Sequence, residues 1–114
     1  MTISGILCFS TSNYEAMIKF LTDFGFKVTE DPHDQLVPLF NEGRGAHIER
    51  GDIFFNLEES TSGQQKASFN LMLTDYSEEE LTRIKSLGYE CDQQFSICGE
   101  ANFFRTPDGG TFVL

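Results

Sequence analysis

Residues 12–25 read Ser-Asn-Tyr-Glu-Ala-Met-Ile-Lys-Phe-Leu-Thr-Asp-Phe-Gly. Ser12-Asn13-Tyr14-Glu15 fits a capping box, in which a serine oxygen accepts from a first-turn amide and a glutamate reaches back to the cap. Tyr14, Met17, Ile18, Leu21 and Phe24 then recur at helical spacing on one face, and Gly25 stands where a left-handed residue closes a helix. The same punctuation returns 65 residues later. Ser77-Glu78-Glu79-Glu80 is a second box, Leu81, Ile84 and Leu87 are its apolar stripe, and Gly88 is its stop. Three acidic residues in that first turn face the positive end of the helix dipole.

Around each helix the chain repeats itself. A strand-like run precedes each one, residues 2–9 in the first half and 67–73 in the second. Gly25-Phe26-Lys27-Val28 and Gly88-Tyr89-Glu90-Cys91 follow. Arg50-Gly51-Asp52 and Pro107-Asp108-Gly109-Gly110 are turn signals that lead into β-prone residues 53–57 and 111–114. Residues 46–49 and 102–105 are the upstream partners of those hairpins. Each half is therefore β-α-β-β-β. The expected organisation is one α+β domain over residues 1–114, with modules 1–60 and 66–114 joined by the polar linker 59–66. Residues 31–45, with two prolines and two glycines, read as a loop with a short strand near 36–40.

At 114 residues, with twelve Phe, the chain has material for a real core. Its formal charge of −10 repels phosphate backbones and anionic lipid, which argues against nucleic-acid and membrane partners. Cys8, Cys91 and Cys98 cannot all pair within one chain, and no Cys-x-x-Cys occurs, which suits a reducing compartment. The apolar N-terminal residues lack a basic flank and are too few to span a bilayer, so a cytoplasmic location is expected.

The duplicated frame, with Asp23-Phe24-Gly25-Phe26 at the end of helix one and Thr106-Pro107-Asp108-Gly109-Gly110 before the last strand, resembles the vicinal oxygen chelate superfamily. Glyoxalase I, extradiol dioxygenases, fosfomycin-resistance enzymes and bleomycin-resistance proteins belong to it. The resemblance implies a curled mixed sheet forming a cup that holds the ligand. In metal-using members a His on the first strand of each half and an acidic residue on the last bind the ion. The matching positions here fall on or near Gly5, Ser68 and Val113, leaving Glu58, or Asn56 in the neighbouring register, as a single match where about three ligands are needed. No metal and no other cofactor is therefore expected. His33 and His47 are not spaced as a pair on one element.

A metal-free cup is the condition of bleomycin-resistance proteins. The resemblance therefore implies non-catalytic binding or sequestration of a small molecule, cationic or aromatic, in a groove of a homodimer. A metal-dependent lyase, transferase or dioxygenase of the same superfamily is the competing reading, and a dimerisation or regulatory module without a small ligand is the third. Strand alternation nominates the lining. Phe54, Asn56 and Glu58 share one strand face, and Asn70 and Met72 share another. Phe9 and Phe104 complete the expected set, with Phe103 as the alternative to Phe104. Cys8 reads as a small buried hydrophobe on an apolar strand.

Overall fold

The structure is a computed structural model in which residues 7–30, 44–60 and 68–114 are described. Gly5, His33, the short strand expected near 36–40 and most of the linker lie outside the described residues. The chain divides into two compact units, Met1–Ala67 and Ser68–Leu114. Each is β-α-β-β-β, so the fold is α+β as expected.

The first unit contains β1 (Cys8–Thr11), α1 (Tyr14–Asp23), β2 (Lys27–Glu30), β3 (Gly45–Arg50) and β4 (Ile53–Glu59). Its sheet runs in the order β1-β4-β3-β2, with β1 parallel to β4 and the other pairs antiparallel. The parallel step is the one that needs a crossover, and α1 supplies it. One helix face buries Tyr14, Met17, Phe20 and Leu21. Phe20 takes the core position, whereas Ile18, expected there, is only half-buried. These side chains, with Phe24 and Phe26, form a core with Ala46, Ile48, Phe55 and Leu57. The register explains the set: Ile48 stands opposite Phe55 and Ala46 opposite Leu57, and directly opposite residues project to the same side.

The stop at Gly25 forms as expected. Gly25 has φ 84, its amide donates to the Thr22 carbonyl, and the Phe26 amide donates to that of Leu21. Arg50 adds a second stop, its Nη1 donating to the Phe24 carbonyl at 2.9 Å. The start differs from expectation. Asn13 is the N-cap of α1 and makes no side-chain capping bond, while Thr11 Oγ1 accepts from the Asn13 amide at 2.9 Å. The Ser12 box is not formed.

The second unit contains β5 (Asn70–Met72), α2 (Glu78–Lys85), β6 (Cys91–Ser96), β7 (Gly99–Arg105) and β8 (Thr111–Val113), with sheet order β5-β8-β7-β6. Here the box does form: Ser77 Oγ accepts from the Glu80 amide at 3.1 Å. Ser77→Ala is therefore expected to cost about 1 kcal/mol, and Ser12→Ala close to nothing. Chemical denaturation of the two variants reads the difference.

Leu81 and Ile84 of α2 are buried, as are Phe104, Phe112, Leu73 and Leu114 of the sheet and its ends. Phe104 and Phe112 face each other across the β7–β8 hairpin, and Leu71 pairs with Phe112. Lys85 of α2 reaches Glu100 of β7 at 2.9 Å, tying the helix to that side. Among the described residues no helix is long and apolar enough to cross a membrane.

Candidate functional site

In the first unit, the sheet face turned away from α1 collects the chemistry. The register puts Cys8 beside Asn56 and Ser10 beside Glu58 across β1–β4, with His47 opposite Asn56 across β3–β4. Alternation adds Phe54 to the same side. His47 Nδ1 lies 2.7 Å from Asn56 Oδ1, and the His47 ring lies nearly parallel to Phe54 at 14°, centroids 6.3 Å apart. With an amide oxygen facing it, Nδ1 carries the proton of that contact, so in neutral imidazole Nε2 is the basic nitrogen. Cys8 Sγ is 3.9 Å from Glu58 Oε2 and donates to it.

Burial grades this cluster. Phe54 is 47% exposed, whereas Asn56 is 1% and Glu58 9% exposed, flanked by strands on both sides. A carboxylate at that depth is costly unless polar neighbours meet it, and the thiol is one such neighbour. Desolvation, and then the Glu58 charge, push the Cys8 thiol above its ordinary range. Cys8 is thus held as a neutral donor, not activated as a thiolate nucleophile.

The lining expected from sequence is partly brought together. Phe54, Asn56 and Glu58 share one face as read. Phe9 does not: it pairs with Leu57 and meets Phe55 edge-on at 5.6 Å, on the helix side. Cys8 takes the place given to Phe9 and is exposed, contrary to the buried position expected of it. The cause is the parallel β1–β4 register, which no turn fixes in the sequence. The sequence marks His47 as a solvated structural residue, with a site shared with Glu58 as the weaker alternative, and a signal for its place beside Asn56 exists. A two-residue connection, Gly51-Asp52, closes the hairpin at Arg50 and Ile53, and counting back from it places 47 opposite 56.

In the second unit, Asn70, Met72, Thr111, Val113, Phe103 and Arg105 share the face away from α2. Phe104, expected in the lining, is in the core, and Phe103 takes the other face. With Asp92, Gln94, Arg105 and Thr111, Phe103 lines a groove of about 220 Å³. Asn70 serves the sheet, its Oδ1 accepting from the Thr111 amide at 2.9 Å. Met72 is 70% exposed and borders a second groove of about 520 Å³ with Ala101, Val113 and Leu114.

The described residues do not fit the superfamily's divalent ion. Val113 and Ser68 offer no ligand atoms of the needed kind, and no group of three His, Cys, Asp or Glu side chains comes together among the described residues.

A third feature lies at the start of α1. Arg44 pairs with Glu15 and with Glu59, the latter at 2.9 Å, and its guanidinium sits 4.7 Å over the Tyr14 ring. Tyr14 is buried and its hydroxyl donates to Glu30 at 3.3 Å. Burial, then the Glu30 charge, push the phenol well above its ordinary range. The unfolded chain therefore releases this proton first, so the contribution is complete below about pH 10 and lost as pH rises above it. Alkaline melting curves should accordingly fall less steeply for Tyr14→Phe than for the parent.

No protein-family model and no curated protein matches the chain. Solved structures do. TnmS3, an antibiotic binding protein from Streptomyces sp., is 21% identical with TM-score 0.63, covering 100% of this chain and 96% of that one. A member of the glyoxalase/bleomycin resistance protein/dioxygenase superfamily from Sphaerobacter thermophilus is 18% identical with TM-score 0.61, covering 100% and 98%. The fosfomycin resistance protein FosX from Mesorhizobium loti is 16% identical with TM-score 0.61, covering 100% and 90%. The fold of this chain is that of the glyoxalase/bleomycin-resistance/dioxygenase superfamily.

Proposed function

We infer that the chain binds a small aromatic cation without transforming it, on the face of the first-unit sheet that carries Phe54, His47, Asn56 and Glu58. The observation that carries this reading is the pairing of an exposed ring with a nearly buried carboxylate on one face. A planar ring stacks on Phe54 and His47, and a cationic nitrogen is met by Glu58. Cys8, kept as a thiol, adds no competing charge. The antibiotic-binding neighbour supports a binding role for this fold.

Melting curves against planar aromatic cations, bleomycin-like glycopeptides and α-keto thiol adducts test it. A planar aromatic cation at 100 times its dissociation constant is expected to add about 2.7 kcal/mol of stability, and Glu58→Gln and Phe54→Ala to remove most of the response. A panel that leaves the melting temperature unmoved would favour a module without small ligand. A stoichiometric divalent ion in protein purified without a chelating tag, lost on Glu58→Gln, would favour the metal-dependent enzyme instead.

A further inference from the structure

In the second sheet an inner strand is shorter than its neighbour. β8 has three residues and lies between β5 and β7, of which β7 has seven. The pairing runs one step past β8: Leu114 exchanges backbone hydrogen bonds with Asn102, and the Leu73 amide donates to the Val113 carbonyl. Beyond that step Leu73 and Thr74 on one side, and Glu100 and Ala101 on the other, line the groove of about 520 Å³. Backbone groups are turned into it. Successive residues of a strand hydrogen-bond to alternate sides. Arg105 donates to Glu90 on the β6 side and Asn102 to Leu114 on the β8 side, so the amide and carbonyl of Glu100 point to the β8 side, past its end. The Leu73 carbonyl points there as well, with its own amide. None of these three groups has a partner among the described residues. Next to them Asn102, 1% exposed, donates from Nδ2 to the Leu114 carbonyl at 3.3 Å and leaves its Oδ1 without a partner.

We propose that this groove receives a short, extended, basic segment of another protein, which prolongs the line of β8 parallel to β5 and antiparallel to β7. The backbone groups select an extended peptide, since unpaired strand amides and carbonyls are what strand addition satisfies. The β8 register, carried two residues on, sets the first residue of the segment between Thr74 and Ala101 and the second opposite Glu100. The first then donates its amide to the Leu73 carbonyl. The second exchanges both of its backbone bonds with Glu100.

Charge and alternation select the side chains. The groove is lined by the carboxylates of Glu78 and Glu100 and by no Lys or Arg among the described residues, in a chain of formal charge −10. Lys85 already meets Glu100, which leaves Glu78 to an incoming cation. The second residue of the segment projects to the buried side, as Leu114 does, and α2 on that side begins with Glu78. That position therefore takes Lys or Arg. The first residue projects to the opposite side, beside Met72 and Val113, where a small apolar side chain fits.

An NMR titration of the full chain with the peptide acetyl-Ala-Lys-Val-Lys-amide tests this. Saturable shifts are expected at Leu73, Thr74, Glu100 and Ala101, with slower exchange of the Glu100 amide. N-methylation of the first lysine of the peptide removes the donor to the Glu100 carbonyl and should raise the dissociation constant about tenfold. Glu78→Gln should raise it about threefold, whereas Glu79→Gln, one residue along and outside the lining, should leave it unchanged. Both glutamates are exposed, so each variant should keep the parent's circular dichroism spectrum. Absence of saturable shifts, equal binding of acetyl-Ala-Glu-Val-Glu-amide, indifference to N-methylation, or equal losses in the two glutamate variants would overturn the proposal.

Discussion

Phe112→Ala is expected to lower the unfolding free energy by about 3–5 kcal/mol. Phe112 is fully buried, opposite Phe104 on β7 and Leu71 on β5, with the Phe69 ring 5.8 Å away. It occupies the centre of the short β8 strand and joins both neighbouring strands to the buried side. Alanine leaves a cavity that the two flanking strand positions, Phe104 and Leu71, cannot fill without breaking their pairing. Urea denaturation measures the loss. Phe54→Ala is the control, because that ring is half in solvent and its truncation should change stability by about 0.5 kcal/mol or less. The two variants thus separate a phenylalanine that holds the fold from one that is offered to a ligand.

Gly110→Ala is expected to cost about 3 kcal/mol, or to abolish folding of the second unit, for a different reason. A Cβ at this position would stand 2.3 Å from the Phe69 carbonyl oxygen, a backbone atom with no rotamer to escape into. The clash would push β5 off β8 where their pairing begins, at Asn70 and Thr111. It would also strain the turn, in which the Gly110 amide donates to Thr106 Oγ1 at 2.9 Å. The adjacent Gly109 is constrained otherwise: its φ is 90 and a Cβ there would meet nothing within 4 Å. Gly109→Ala should therefore cost only about 1 kcal/mol, the usual penalty for a left-handed backbone. Melting temperatures of the pair measure whether close approach or backbone conformation governs this turn.

The helices, the hairpins and the duplicated order were legible because their signals are local. Gly25 and Gly88 mark helix ends through a backbone geometry that glycine alone adopts cheaply. The β4 face was legible too, since Phe54, Asn56 and Glu58 are fixed relative to one another by the pleat. What failed was register between segments. A shift of one residue exchanges the faces of a strand, and that exchange separates Phe9 from Cys8 and Phe104 from Phe103. For β1 the partner strand lies nearly 50 residues away, with no turn to count from. For β7 the five residues 106–110 connect the strands, a length compatible with more than one pairing. The Ser12 cap failed on a finer scale, because Thr11 competes for the same end of the helix and takes the Asn13 amide.

Binding on the β1–β4–β3 face is the central claim, and an NMR titration of the labelled chain with an acridine-type planar cation tests it most directly. The account predicts that the largest amide and side-chain shifts cluster at Cys8, His47, Phe54, Asn56 and Glu58, saturate at a stoichiometry of one per chain, and vanish in Glu58→Gln. Shifts confined to other surfaces, or no saturable shifts with any planar cation, would contradict it.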